Sequence, residues 1–266
     1  MYNIRSFFLI LTVLFIPVFA GFNSNAQELV TNGNFETGDF TGWTQQQLTG
    51  EGAWFVYTGT FSPIDSDPIL APPEGTYAAV ADQGEPDSNI LYQDIDLPTG
   101  STITCSAIVY YMNEADEIMA AATNAFTKSA SSGVDVAGRV FVIGDGLSLD
   151  FPNQQYRIDI MDPNAPPFDT GNGVLLNLFQ TEPGDPDSLG YTPINFDLTP
   201  FAGSTVRIRA AVAVTIGPLQ GSIDAVSCIA EPRVEVPTLS EWGLIAMAGV
   251  LGIVGFMVMR RKRVTA

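Results

Sequence analysis

The chain has 266 residues, 46% of them hydrophobic and 15% charged, with eleven Lys+Arg against twenty-nine Asp+Glu, a formal net charge of −18 and no histidine. Its length allows one large domain or two small ones, with enough chain to bury a sizeable core. The charge argues against nucleic acid as a partner, since phosphodiester binding rests on Lys and Arg neutralising phosphates, and the missing histidine removes His-dependent nucleophiles, His-ligated zinc and the commonest general base.

Residues 1–26 open with a single positive charge, Arg5, run through the apolar stretch Phe7–Ile16 and reach Ser24-Asn25-Ala26. A short basic region, an apolar run and small residues three and one before a break predict a secretory signal peptide. Cleavage is expected after Ala26, with Ala20 as the alternative site; an uncleaved anchor is the other reading, on an apolar run short for a span.

From residue 27 to 230 the chain is punctuated like an all-β protein. Short β-branched or aromatic runs recur between Gly, Pro, Asp and Asn, at Trp54–Thr58, Tyr77–Ala81, Ile90–Ile95, Thr102–Met112, Val140–Ile143, Tyr156–Met161, Val174–Phe179, Ile194–Leu198, Thr205–Thr215 and Ser222–Ile229. Strands at that spacing predict an antiparallel sandwich or barrel. In Thr205–Ala210 the alternation places Val206 and Ile208 on one face and Arg207 and Arg209 on the other. The Ala-rich segment Ala115–Ser129, with Asn113 as a cap, is a helix or else a long loop. Gly84–Ser88 and Gly184–Ser188 look alike, but five residues rich in Pro and Asp describe turns and no repeat.

Two cysteines, Cys105 and Cys228, both fall in predicted strands. An even count in an exported chain predicts one disulfide; two buried thiols are the alternative. No constellation of catalytic side chains follows from the order of residues. Asp94 and Asp96 share a strand face as its wet side, and Lys128 beside Ser129 is only loosely a Ser-Lys pair, so the chain reads as not an enzyme. For sugar stacking the candidate rings are Trp54, Tyr57, Phe61 and Tyr111, with Gln45–Gln47 as polar neighbours, while Trp43 is assigned to the core. Tyr110 and Tyr111 point to opposite faces.

After a linker at 231–238, residues 239–259 form a predicted transmembrane helix, followed by the basic cluster Arg260-Arg261-Lys262-Arg263 in a tail, 260–266, that stays on the cytoplasmic side. Just before it stand Val236, Pro237, Thr238, Leu239, Trp242 and Gly243. Joined in that order to an apolar helix and a basic end, these residues resemble the IPTL-CTERM sorting tail of bacterial envelope proteins, with Val236 in place of Ile. The resemblance implies recognition by an exosortase-type membrane protease, cutting near the motif, and delivery to the cell surface.

A second resemblance covers most of 28–229. Leu29–Glu36 followed by Gly42-Trp43 resembles the opening strand of carbohydrate-binding-module and galactose-binding-like jelly rolls, and Ser222–Ser227 their closing strand. Leu91–Ile95 and Phe196–Thr199 resemble interior strands, while 113–153 matches least. The resemblance implies a jelly-roll-like β-sandwich and a structural calcium ion held by Glu36, Asp224 and main-chain oxygen near Asn34, a donor set that suits a hard cation. On the residues alone, Glu36 and Asp224 can equally cap turns. Together these features predict a non-catalytic, exported surface protein that binds glycan or matrix, the alternative being an acidic adhesive or biofilm-matrix protein with no defined sugar site.

Overall fold

A strand that buries one face reads as alternating apolar and polar residues, and in the computed structural model of the chain such strands pair antiparallel throughout. The structure describes residues 26–50, 52–64, 66–115, 118, 132–134, 140–142, 147, 149, 153–233 and 239–262. Residues 1–25 of the predicted signal peptide, most of Ala115–Ser129, positions 234–238 and Arg263 therefore lie outside the described residues. The chain divides into two units, 1–232 and 233–266.

In the first unit, one sheet contains β1 (Gln27–Glu28), β3 (Trp54–Tyr57), β4 (Ala78–Gln83), β6 (Ser101–Asn113), β11 (Ser188–Asp197) and β13 (Leu219–Pro232). Its order is β11-β6-β13-β4-β3, with β1 beside the far half of β13. The second sheet contains β2 (Thr44–Gln47), β5 (Asp87–Asp96), β9 (Gln155–Met161), β10 (Val174–Gln180) and β12 (Thr205–Val214), ordered β10-β9-β12-β5-β2. A separate hairpin pairs β7 (Ser132–Val134) with β8 (Val140–Val142). The all-β sandwich expected from the alternation is the fold observed.

The core is built from the inward faces. On β6, Ile103, Cys105, Ala107, Val109 and Tyr111 alternate inward while Thr102 and Thr104 are exposed. From the other sheet Tyr156, Ile158 and Ile160 of β9 and Val206, Ile208, Ala210 and Val212 of β12 meet them. Tyr156 crosses between the sheets: its hydroxyl donates to Ser222 O at 2.7 Å. Gly221 makes room for its ring, since a Cβ there would stand 2.7 Å from Tyr156 Cδ2 and 2.8 Å from Val212 Cγ2.

Strand β13 changes phase midway. Leu219 and Ile223 face the core, and so do Val226, Cys228 and Ala230. The switch from odd to even positions comes from a bulge between Asp224 and Ser227, where the register against β6 slips by one residue and Ala225 takes a left-handed φ of 50°. An extra residue in one strand resets the alternation beyond it. The result is that Cys228 stands opposite Cys105 and the two form a disulfide on the core face, with Cα atoms 4.1 Å apart.

Both faces of β9 and β12 are buried, which simple alternation did not predict. On their outer face Ala211 and Ala213 pack with Ile90 and Leu147, and the loop 162–173 brings Phe168 against them. In the second unit, α1 (Leu239–Lys262) has large apolar side chains such as Leu244, Met247, Leu251, Phe256 and Met259 exposed at more than half of their surface. Among the described residues no helix is long and apolar enough to cross a membrane.

Candidate functional site

Three of the four rings expected to stack on sugar are buried. Trp54, Tyr57 and Tyr111 are 1%, 3% and 2% exposed. Trp54 faces the main core, Tyr111 packs on Phe179, and Tyr57 lies on the outer face of its sheet under the segment carrying Ile69. Tyr57 Oη donates to Leu70 O at 2.7 Å, which ties that covering segment down. Period-two alternation separates the faces but does not show that the segment carrying Ile69 and Leu70 folds back over one of them. Phe61, at 62% exposure, is the ring of this group left in solvent.

The residues expected to hold calcium come together at one corner of the first sheet. Gly33 and Val226 join the opening segment to the bulge, Val226 N–H donating to Gly33 O at 2.9 Å. Gly33 cannot carry a side chain, because its Cβ would fall 1.8 Å from Val226 O. Glu36 Oε1 accepts from Thr76 N at 2.7 Å and Tyr77 N at 2.9 Å, and these amides hold its carboxyl below the ordinary range. Asn34 is exposed, its Oδ1 3.4 Å from Glu36 N.

Asp224 is fully buried; its Oδ1 accepts from Ala225 N at 2.7 Å and its Oδ2 has no hydrogen-bond partner. Burial first, then the charges of Glu74 and Glu36, push its carboxyl up to about 7, against the pull of the Ala225 and Glu74 amides. A buried carboxylate oxygen without a hydrogen-bond partner, under the negative charge of Glu74 and Glu36, fits a cation. Among the described residues, however, no three His, Cys, Asp or Glu side chains converge closely enough to hold a metal by themselves. Any ion here needs main-chain oxygen as well. Left-handed backbone at Asn32, Phe35 and Ala225 gathers at the same corner, a strain that the packing around it has to sustain.

A second arrangement lies on the outer face of the second sheet. Between residues 26 and 232 the described basic residues are Arg157, Arg207 and Arg209, and all three stand on this face. Arg157 grips Asp159 with Nε to Oδ2 and Nη2 to Oδ1, both 2.7 Å, and Arg209 Nη2 bonds the same carboxylate. Arg209 Nη1 also donates to Pro167 O at 2.6 Å and Asp169 O at 2.7 Å, fastening loop 162–173 to the sheet. Burial raises the Asp159 carboxyl, but the two guanidinium groups outweigh it and hold the carboxyl below its ordinary value.

Beyond that covered part the face opens. Arg207 pairs with Asp94, Nε to Oδ1 at 2.7 Å and Nη2 to Oδ2 at 2.9 Å, and its Cζ lies 4.2 Å from the centroid of the Tyr92 ring. Tyr92 Oη accepts from Gln46 Nε2 at 3.2 Å, and Thr205 Oγ1 donates to Asp96 Oδ1 at 2.7 Å. The strip Gln46–Tyr92–Arg207–Asp94–Asp96 thus runs from edge strand β2 along β5. It adjoins a groove of about 530 Å³ lined by residues 45–50 and Ala53. On the sequence Asp94 and Asp96 form a wet strand face and Gln45–Gln47 are polar neighbours; the structure adds Tyr92 and Arg207 as their partners. The signal was in the alternation of Tyr92, Asp94 and Asp96 opposite Arg207 and Arg209.

The IPTL-CTERM motif model matches residues 236–263. No curated protein matches the sequence. Among solved structures the chain is similar to the carbohydrate-binding module TmCBM61 in complex with β-1,4-galactotriose, at 14% identity and TM-score 0.39 over 76% of this chain and 97% of that one. It is similar also to the K3 cleaved adhesin domain of Lys-gingipain from Porphyromonas gingivalis, at 13% identity and TM-score 0.42 over 78% and 99% of the two chains. A structure of carbohydrate-binding modules from the β-sandwich superfamily shares 15% identity at TM-score 0.37, over 77% of this chain and 61% of that one. At these values the likenesses leave the function of the sandwich unassigned.

Proposed function

We propose that the protein is exported behind a signal peptide, sorted to the bacterial envelope by its tail, and displays a non-catalytic β-sandwich that binds extracellular glycan. The tail reading is supported by the motif at 236–263 and by a helix whose large apolar side chains are exposed all along its described length. Such a helix needs lipid or another apolar surface around it. The single acidic residue in 239–259 is Glu241, and four basic residues follow at 260–263. An exosortase-type membrane protease is the processing partner on this reading, and the core disulfide accords with an oxidising compartment.

The observation that carries glycan binding is the open strip, in which amide, phenol, guanidinium and carboxylate groups lie side by side next to a groove, the mixture that saccharide hydroxyls require. We place a structural calcium ion at the corner of Glu36 and Asp224, with main-chain oxygen near Asn34; its support is the unpartnered Asp224 Oδ2. The second reading, an acidic matrix protein without a sugar site, draws support from the burial of Trp54, Tyr57 and Tyr111. A glycan array probed with the full-length chain in detergent, with calcium and with chelator, separates the two. Saturable binding lost in Tyr92→Ala supports the strip. Silence from folded protein in both conditions favours the matrix reading.

A further inference from the structure

We infer that the outer face of the first sheet is a second saccharide site, an aromatic platform that a hairpin of the chain itself covers and lifts from to admit a neutral glycan. This site rests on the glycan-binding reading and lies apart from the strip on the second sheet. Its rings are Phe55 and Tyr57 of β3 on one side, and Tyr110 of β6 and Tyr191 of β11 on the other. The register fixes what lies between them. Tyr110 stands opposite Ser222, Ser222 opposite Val80 and Val80 opposite Phe55, a row about 14 Å across at the spacing of strands. The Tyr110 and Tyr191 ring centroids are 5.4 Å apart, and the Tyr57 and Tyr191 hydroxyls meet in a hydrogen bond over the row. Phe55 and Tyr191 keep part of their surface in water.

A sheet face covered for stability alone is apolar, as where Ile90, Leu147, Ala211 and Ala213 meet on the second sheet. Here the middle strand β13 turns Gln220, Ser222 and Asp224 outward, and all three are buried. Tyr110 Oη donates to Gln220 Oε1 at 3.0 Å and Ser222 Oγ to Ala79 O at 2.7 Å, but Asp224 Oδ2 has no hydrogen-bond partner, so the protein by itself leaves the row unsatisfied at that end. Rings with hydroxyl, amide and carboxylate groups set between them suit a pyranose, which has apolar C–H faces and a rim of hydroxyls.

The cover is a hairpin closed on itself, Ser62 N–H donating to Asp67 O at 2.8 Å and Ile69 N–H to Thr60 O at 3.1 Å. It sits lightly on the face. Among the described residues of 58–64 and 66–76, Ser62 and Ile69 alone are buried, and Ile69 is the apolar side chain seated among the rings. Phe61, Ile64 and Leu70 are exposed. The hairpin is tied to the sheet through the neutral bond from Tyr57 Oη to Leu70 O, whereas loop 162–173 on the second sheet is gripped at two carbonyls by the Arg209 guanidinium, a charged donor roughly twice as strong. Gly59, at φ 82° with open space around it, gives the root of the hairpin a turn free of packing. Few buried apolar contacts mark a segment that opens at low cost. A cover open about a tenth of the time or less weakens a ligand's apparent affinity about tenfold or more, and loosening it returns that factor.

The test is calorimetric titration of the full-length chain in detergent with cellohexaose, xylohexaose and mannohexaose, on the parent, on Ile69→Ala and on Ile69→Ala combined with Phe55→Ala. Hydrogen exchange of the Ser62 and Ile69 amides reads the opening without any ligand. Faster exchange in Ile69→Ala, a gain of about tenfold in affinity for at least one probe, and loss of that gain with Phe55→Ala are the expected results. The double variant counts if its melting curve matches that of Ile69→Ala; Tyr191→Ser, whose ring is also partly exposed, replaces Phe55→Ala if it does not. A synthetic peptide of residues 66–72 is the competing occupant: binding of that peptide to Ile69→Ala, with no saccharide bound, makes the platform a peptide groove and overturns the sugar assignment. Unchanged exchange in Ile69→Ala overturns the moving cover. Unchanged saccharide affinity despite faster exchange, or a gain that survives removal of the rings, overturns this site and leaves glycan binding at the strip standing. Silence of both the parent and Ile69→Ala on the glycan array overturns the glycan reading itself.

Discussion

Cys105 and Cys228 face each other across β6 and β13 because one extra residue, in the bulge at Ala225, turns the end of β13 over. Ahead of the bulge Ser222 pairs with Tyr110, and beyond it Cys228 pairs with Cys105. Without the slip, position 228 would point away from the core. The same bulge buries Asp224 at the candidate cation corner, so one irregularity serves the covalent link and the acidic corner together.

Deleting Ala225 should therefore return β13 to a single phase and separate the cysteines. Alkylation followed by mass spectrometry is expected to find two modifiable thiols, and a disulfide that still forms would contradict the role given to the bulge. In the parent, replacing both cysteines by alanine opens a loop with a sequence separation of 123. The expected cost is up to about 4–5 kcal/mol on the chain-entropy model, read from denaturant unfolding.

Gly221→Ala should cost about 1–3 kcal/mol by overpacking, because the new methyl meets the Tyr156 ring and Val212 between the sheets. Urea unfolding measures it. A neutral result would mean that Tyr156 has room to move, against its hydrogen bond to Ser222 O.

Asp159→Asn leaves Arg157 and Arg209 buried without their counter-ion, and a loss of about 3–5 kcal/mol is expected. Loop 162–173 should show faster hydrogen exchange in that variant and in Arg209→Met, since Arg209 holds the loop carbonyls. The Asp159 carboxyl is held below its ordinary 3.8 in the fold. Its contribution is thus present above that pH and is lost as pH falls through the lower folded value.

Asp224 has the opposite sign. Its carboxyl is raised to about 7 from an ordinary 3.8, so the folded state keeps a proton that the unfolded chain has released. Its contribution is full below 3.8, declines as pH rises, and is gone above about 7. In chelator the melting temperature should fall across that window, and Asp224→Asn should flatten the fall. Calcium, which binds the ionised form, should raise the melting temperature most at the alkaline end. A parent whose melting temperature ignores calcium throughout would remove Glu36 and Asp224 from an ion site.

Protein recovered from the native host should begin near Gln27 and lack the residues beyond the Trp242 region. Intact-mass spectrometry reads both ends at once, and a full-length C-terminus on surface-exposed protein would refute tail processing.

The strand pattern was open to reading because alternation is local. Val206 and Ile208 against Arg207 and Arg209 mark two faces whatever the rest of the chain does. Strand β2, Thr44-Gln45-Gln46-Gln47, was not predicted, since an exposed edge strand paired only with β5 carries no apolar face to announce it. The contiguous motif at 236–243, read with its apolar and basic sequel, identified the tail without any tertiary information. Cysteine number and strand setting predicted one disulfide, although the slip that makes it fit is invisible in the order of residues.

Which face of each sheet is wet could not be read from the sequence. Tyr57 and Tyr92 are alike as aromatic residues on outer strand faces; the segment carrying Ile69 and Leu70 covers the first, while the second remains partly open between Gln46 and Arg207. Alternation is set by the two-residue period of one strand, but burial depends on loops and strands far away in the chain. The order of residues was enough for the all-β class, the tail and the cysteine pair, whereas the tertiary structure decided which rings are core, where the Asp224 Oδ2 is left without a hydrogen-bond partner and where a ligand can reach the sheet.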